Sequence, residues 1–280
     1  MTVTRSDIED GLRNIGLQNG DTVVLHSSLS SLGVVEGGAD AVVDAVLRTI
    51  GPEGTLVVPA FNYSPNPFDP LVTPSVCGRI TEAVRMRPNA VRSLHPTHSV
   101  AAIGRDAEEI TQNHESVHPF GIGSPLYKVF DREGKILQIG VGHDTDSIIH
   151  VAEELAEVPY VNRVRGVRIA GPKGESLRIT VRRPGCSRGF PKIEEKLEES
   201  GAVSETVIGE AVVRLISAVE IVKAAVEMLS EDPAALLCDI PECPTCAEAR
   251  AMIAATQIEE EDEAWIKNFK EIERLEQLGE

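Results

Sequence analysis

Thr22-Val-Val-Leu-His26, Gly38–Ile50 and Thr55-Leu-Val-Val-Pro-Ala60 follow one another in the chain, and their reading decides the fold. The first is a short, nearly unbroken apolar run of the kind that suits a strand buried on both faces. The second places Ala41, Val42, Ala45 and Val46 at helical spacing and stops at Gly51-Pro52, where a glycine and a proline end a helix. The third is another apolar strand. Strand, helix and strand of this character belong to a sheet covered by helices.

The pattern continues on both sides. Ser6-x-x-Glu9 has the spacing of a capping box and predicts a helix to about Ile15. After the second strand comes a Pro/Asn-rich loop from Asn62 to Pro74, then an expected helix over Ser75–Arg87 that includes Cys77. Strands are expected at His98–Ile103 and Lys135–Val141, and a helix at Asp146–Glu157. Residues 1–160 therefore read as an α/β core with a mostly parallel central sheet. From Val161 the texture changes. Val161–Ala170 and Leu177–Arg183 flank Gly171-Pro-Lys-Gly174 as an antiparallel hairpin. A helix near Phe190–Ser200, a β stretch at Val203–Ile208, a strand or helix at Ala211–Ala218 and a helix at Val219–Leu229 complete a smaller β-rich and helical second half, 161–258. Residues 259–280 are expected to form a charged amphipathic helix with Trp265, Phe269, Ile272, Leu275 and Leu278 on one stripe, which either packs back on the body or pairs with a second subunit in a homodimer.

Composition excludes several classes. The chain has 280 residues, 42% hydrophobic and 25% charged, within the range of globular proteins and long enough for a core without staples. Lys and Arg number 27 against 44 Asp and Glu, a net charge of −17, and they form no basic stripe, so no nucleic-acid partner is expected. The acidity favours a cationic small molecule. No apolar run is long enough for a membrane span, and Met1-Thr-Val-Thr-Arg-Ser-Asp7 has no apolar stretch. Five cysteines without a regular framework fit a reducing compartment, so the expectation is a cytoplasmic protein.

Four stretches can carry chemistry. His26, Ser27, Ser28, Leu29, Ser30, Ser31, Leu32 and Gly33 leave the first strand at its carboxyl end, where open α/β sheets bind ligands. The loop lacks the spacing and lysine of a phosphate-binding GxxxxGK[ST] motif. Arg92-Ser-Leu-His-Pro-Thr-His-Ser-Val100 offers His95 and His98, but Pro96 denies them a common helical face. His118-Pro-Phe-Gly-Ile-Gly-Ser-Pro125 ends in a Ser-Pro helix start, whose free N–H groups also suit an anion or carbonyl. Finally, His150 and Glu153 stand i, i+3 on an expected helix: a general base with its orienting carboxylate, a ligand pair for a metal, or a plain ion pair.

Taken in order, these motifs, together with Gly51-Pro-Glu-Gly-Thr-Leu-Val-Val-Pro-Ala60, Lys135-Ile-Leu-Gln-Ile-Gly-Val141 and His150-x-Ala-Glu153, resemble the aminoglycoside 3-N-acetyltransferase family over about residues 5 to 250. The resemblance implies an αβα core unlike the common GNAT fold. It also implies an acetyl-CoA-dependent acyltransferase acting on the 3-amino group of a 2-deoxystreptamine ring, an antibiotic-resistance activity, or on a related amine. Carried onto this sequence, His26 through Gly33, His98, Ser99, Val100, Gly123, Ser124 and Leu126 would line the coenzyme channel. His150, supported by Glu153, would be the catalytic base, and direct transfer needs no nucleophilic cysteine. Asp69, Asp144, Asp146 and Glu157 are the acidic candidates for a cationic substrate.

Two other readings stay open at this point. Cys186, Cys238, Cys243 and Cys246 supply the four thiols a structural zinc takes, or are small buried residues. A metal-dependent hydrolase would use His95, His98, His150 and Glu153 as ligands, and a non-catalytic coenzyme-A-binding relative would need no base at all.

Overall fold

Along the first long strand, Val23 and Leu25 enter one packed cluster and Val24 another, and Leu56 and Val58 alternate in the same way with Val57. That period of two places one sheet between two apolar layers. The computed structural model describes residues 2–64, 66–171 and 175–257. The strands are β1 (Thr2–Val3), β2 (Thr22–Ser27), β3 (Val34–Val35), β4 (Thr55–Pro59), β5 (Val91–Arg92), β6 (Val100–Gly104), β7 (Lys135–Ile139), β8 (Val164–Ala170), β9 (Ser176–Arg182), β10 (Val203–Ile208) and β11 (Ala211–Ser217). The helices are α1 (Arg5–Asn14), α2 (Gly38–Ile50), α3 (Arg79–Arg85), α4 (Ala107–Thr111), α5 (Pro125–Asp131), α6 (Ile149–Leu155), α7 (Glu194–Glu199) and α8 (Ala218–Glu231).

The central sheet has the order β10-β11-β7-β2-β4-β6-β5. Its middle trio, β7, β2 and β4, is parallel, while β11 and β6 run against their neighbours. Five of the seven strands thus point one way, although only the middle three are direct parallel neighbours. One face packs on Ile8 and Leu12 of α1, Val42 and Val46 of α2 and Ile80 and Val84 of α3. The other packs on Leu126 and Val129 of α5, Ile149 and Val151 of α6 and Ile221 and Val222 of α8. The αβα layering expected from the sequence is present.

The second half is less separate than its texture suggests. β11 pairs with β7 and extends the central sheet, so only the β8–β9 hairpin forms a small antiparallel sheet of its own. Three local expectations change. The capping box at α1 is Thr4 with Asp7, not Ser6 with Glu9: Thr4 N–H donates to Asp7 Oδ2 at 2.8 Å, and Asp7 N–H to Thr4 Oγ1 at 3.2 Å. The Ser75–Arg87 helix starts only at Arg79, which leaves Cys77 in the preceding loop. The Asp146–Glu157 helix shrinks to Ile149–Leu155 because Asp146 is committed to side-chain bonds. The stripe from Trp265 to Leu278, and with it the dimer reading, lies outside the described residues. Among the described residues no helix is long and apolar enough to cross a membrane.

Arg92 fastens the long 60–73 loop to the sheet. Its guanidinium donates to Ala60 O at 2.7 Å, to Pro70 O at 3.3 Å, to Thr73 O and to Ser99 Oγ at 3.0 Å, and it lies over the Phe68 ring at 5.0 Å. Burial and nearby Arg85 bring it down to about 10, which keeps it charged at neutral pH. Arg92→Ala takes a donor from four acceptors, of which only Ala60 O keeps another, from Ser99 Oγ, and is expected to lower the unfolding free energy by about 2–4 kcal/mol. Arg92→Lys should recover less than half of that, because one ammonium cannot span the fork. Urea unfolding of the two variants checks this, and equal stability of Arg92→Lys and the parent would rule the clamp out.

Candidate active site

The carboxyl ends of β2 and β4 open onto a cavity of about 290 Å³. Leu25, His26 and Ser27 come from β2, and Pro59, Phe61 and Tyr63 from the end of β4 and its loop. Cys77 approaches from the loop before α3 and Thr81 from α3 itself, His98 and Phe120 from the loops around β6, Val141, Asp144, Thr145 and Ser147 from the loop after β7, and His150 from α6. Pro184, Gly185 and Ser187 close it from the segment after the hairpin.

His150 is built into this wall. Its Nδ1 stands 2.6 Å from Glu153 Oε2, and Tyr160 donates its hydroxyl to Glu153 Oε1 at 3.1 Å. The i, i+3 spacing on α6 puts the two side chains on one helical face. Phe120 stacks on the imidazole at 4.8 Å, and Phe190 meets it edge-on at 4.8 Å. Glu153 is 1% exposed, and each of its two oxygens has a buried partner. It fixes the proton on Nδ1 and leaves Nε2 as the ring's acceptor, the arrangement a general base requires. Gly185 is fitted to the same carboxylate: a Cβ there would meet Glu153 Oε1 at 3.0 Å.

The other histidines do different work. His98 is bonded at Nδ1 to Thr97 Oγ1 (2.8 Å), with the Tyr63 hydroxyl 3.4 Å from Nε2. Burial holds it well below the ordinary histidine range. His95 Nδ1 accepts the backbone N–H groups of His98 at 3.0 Å and Thr97 at 3.3 Å, and His114 links Ser93 Oγ to the Pro119 carbonyl. The structure does not gather the four ligands that the hydrolase reading needs. Among the described residues the one group of three or more potential ligands is the cysteine quartet, not His95, His98, His150 and Glu153. His26 Nε2 has no hydrogen-bond partner and lies 3.9 Å from Asp146 Oδ1.

The structure divides the remaining candidates. Ser27 lines the cavity, and Ser28 and Ser30 stand just beyond it with hydroxyls 3.2 Å apart. Ser31 turns back to Ser28 O at 2.7 Å and packs where Gly140 has no side chain; Leu32 is fully buried, and Gly33 supplies the positive φ that ends the turn. Ser99 bonds to Ala60 O, Val100 and Leu126 are core residues, and Ser124 caps α5 behind the left-handed Gly123. Ser31, Leu32, Gly33, Ser99, Val100, Gly123, Ser124 and Leu126 scaffold the loops instead of facing the cavity, whereas His98 lines it. Of the acidic candidates only Asp144 lines it. Asp146 is fully buried, bonded to His143 at 3.0 Å and Gln138 at 3.2 Å; Asp69 accepts Leu71 N–H in its own loop, and Glu157 is exposed elsewhere. Cys77 lines the cavity instead of packing in a helix, and burial pushes its thiol up, which leaves it protonated and a poor nucleophile. Phe61, Tyr63, Thr81, Phe120, Ser147, Pro184, Gly185 and Ser187 are cavity residues that the sequence reading did not single out.

A second groove of about 520 Å³ shares Tyr63 with the cavity and runs between the Asn62–Ser64 loop and the hairpin. Arg165, Arg168 and Arg178 line it, a local concentration of positive charge on an acidic chain.

A family model described as "Aminoglycoside 3-N-acetyltransferase" matches residues 24–230. The chain is 32% identical to aminoglycoside N(3)-acetyltransferase IV of Salmonella sp over 82% of this chain and 88% of that one. The crystal structure of the apoenzyme of aminoglycoside acetyltransferase AAC(3)-IVa superposes with a TM-score of 0.84 at 31% identity, covering 90% of this chain and 98% of the other. A histidine-to-alanine mutant of that protein, crystallised with a gentamicin, gives 0.83, again at 31% identity and with 90% and 98% covered. The binary complex of AAC-IIIb with CoASH gives 0.75 at 28% identity, over 82% of this chain and 97% of that one.

The buried imidazoles set an acid limit. Burial lowers His95 to about 2 and His114 to about 4, from 6.5. Above pH 6.5 both the folded and the unfolded chain hold them neutral. Below it the unfolded chain takes up protons that the fold refuses, so stability falls as the pH drops from 6.5 towards 4, by about 1.4 kcal/mol per pH unit for each such imidazole. Urea unfolding across that window should show the slope, and His114→Gln should flatten it by one such increment. A stability independent of pH there would contradict the assignment.

Proposed function

Since the chain belongs to the aminoglycoside 3-N-acetyltransferase family, we propose that it transfers an acetyl group from acetyl-CoA to the 3-amino group of a 2-deoxystreptamine aminoglycoside or a related amine, directly, with His150 as general base. The observation that carries this reading is the His150–Glu153 pair at 2.6 Å in the wall of the cavity.

An alkylammonium must lose a proton before it attacks a carbonyl. His150 Nε2 accepts that proton, and the resulting imidazolium stays paired with Glu153, whose charge is already desolvated and in place. Tyr160 holds the other carboxylate oxygen, so Glu153 stays aligned as the imidazole gains its charge. The two phenylalanine rings fix the plane of the imidazole. Ser27 stands on another wall of the cavity, where its hydroxyl would donate towards a developing oxyanion.

The donor set fits the coenzyme. When bound, it supplies the acetyl group as an activated thioester. Ser27, Ser28 and Ser30 would hold the arm that enters the cavity, and Arg165, Arg168 and Arg178 its phosphates, since guanidinium groups match phosphate oxygens. Asp144 would face the cationic acceptor in the cavity.

Turnover read as thiol release from acetyl-CoA with a panel of aminoglycosides tests the function; absence of release with every member would remove the drug substrates. Within that assay His150→Ala is expected to lower kcat about 100-fold or more with little change in coenzyme affinity, and Glu153→Gln to cost less, because the imidazole remains. Equal loss of turnover and coenzyme binding in His150→Ala would make the histidine structural. Arg165→Glu should raise the KM for acetyl-CoA about tenfold and leave the acceptor KM unchanged; an unchanged coenzyme KM would move the phosphates elsewhere.

A further inference from the structure

Cys186, Cys238, Cys243 and Cys246 are brought together from segments about fifty residues apart, while the fifth cysteine, Cys77, stands alone in the cavity wall. Their sulfurs all lie within 4.8 Å of one another, with Cys238 Sγ and Cys246 Sγ 3.4 Å apart, and all are free thiols. A tetrahedron with zinc–sulfur bonds of about 2.3 Å has edges of about 3.8 Å, within a small adjustment of this spread. Three of the thiols are buried and Cys186 is half-buried. Four thiols are more than close packing requires at one point, and four is the number that closes a zinc coordination shell.

The surroundings are arranged for an anionic centre. Cys243-Pro-Thr-Cys246 turns directly into the helical residues 244–257, with Cys243 N–H donating to Ile240 O at 3.1 Å and Ala247 N–H to Cys243 O at 3.0 Å. Arg188 Nη2 lies 3.5 Å from Cys243 Sγ, and Arg250 donates to Cys238 O at 2.9 Å. Arg163 joins the two cysteine-bearing segments, donating to Thr245 O at 2.9 Å and Pro184 O at 3.3 Å.

We propose that these four cysteines bind a structural zinc ion. Each thiol gives its proton to solvent, four sulfur–zinc bonds form, and the centre carries two negative charges with Arg188 beside Cys243, while Arg250 and Arg163, paired with Asp239 and Glu248, hold the backbone around it. Four protein ligands leave no open position, so the ion takes no part in acyl transfer. Its role is to fasten the segment that continues from Cys186 into the active site: Pro184, Gly185 and Ser187 line the cavity, and Phe190 abuts His150.

The test is elemental analysis of the full chain purified under reducing, chelator-free conditions. One zinc per chain is expected, released by a thiol-directed mercurial. The cobalt-substituted protein should show the intense visible absorption of tetrahedral thiolate coordination. Cys186→Ser and Cys243→Ser should lose the metal and lower Tm by about 10 °C or more, while Cys77→Ser keeps it. A folded parent protein without metal, whose four thiols react freely with a disulfide reagent, overturns the proposal. Because the parent itself is assayed, failure of a serine variant to fold leaves the test intact, and the result does not depend on which amine is acetylated.

Discussion

A carboxylate in the protein interior has to be paid for in hydrogen bonds, and Glu153 organises the site on that account. It is 1% exposed, and its two oxygens are taken by the His150 imidazole at 2.6 Å and the Tyr160 hydroxyl at 3.1 Å. With either donor missing, the charge would be stranded, at a cost of several kcal/mol. The constraint reaches beyond α6. Tyr160 lies past the end of the helix, and the close approach of Gly185 brings a segment from the second half of the chain against the same oxygen. The imidazole is thus held by parts of the molecule far apart in sequence, and its orientation depends on the fold as a whole.

A second buried acid sits beneath the cavity floor. Asp146 is fully buried and joins His143, Gln138 and, more distantly, His26, while His143 continues towards Glu194 at 3.4 Å and Glu194 to Arg214 at 2.8 Å. Gln138 lies on β7, His26 on β2 and Arg214 on β11, so this chain crosses three strands at the edge where ligands enter α/β sheets. Asp146 satisfies part of this buried polar set through His143 and Gln138, while His26 Nε2, Gln138 Oε1 and His143 Nε2 make no hydrogen bond.

The sheet and its layers were legible in the sequence because burial on both faces leaves an unbroken apolar run, which Thr22–Ser27 and Thr55–Pro59 both show. The catalytic candidates His150 and Glu153 were legible because their relation is local, one helical step. What escaped was non-local. Nothing near Pro184 and Gly185 announces that they face His150, and the aromatic Phe61 and Tyr63 in a polar loop carry no periodicity to place them. The capping box slipped from Ser6 to Thr4 because both share the same spacing to an acid, and only the chain's entry into the helix distinguishes them. Asp146 was read as a ligand-facing acid on its charge alone, whereas its partners on β7 and the following turn hold it in the core. Val100 and Leu126 entered the site by the family's motif and turn out to stabilise it from behind.

The proposed reaction sets an electrostatic problem of its own, since a polycationic acceptor and a polyanionic donor must meet at one imidazole. The structure separates their charges. Asp144 stands at the cavity, and Arg165, Arg168 and Arg178 line the adjoining groove. Between them lie Phe61, Tyr63, Phe120 and a His98 that burial keeps neutral. A charged His98 would place a cation beside the incoming ammonium and weaken its approach, because Coulomb interactions grow as water is excluded. A neutral, aromatic midsection instead lets the acceptor's attraction end at Asp144 and the phosphates' at the arginines. In the proposed reaction only the two reacting groups would then reach His150, and that division would assign the buried histidines around it the task of remaining uncharged.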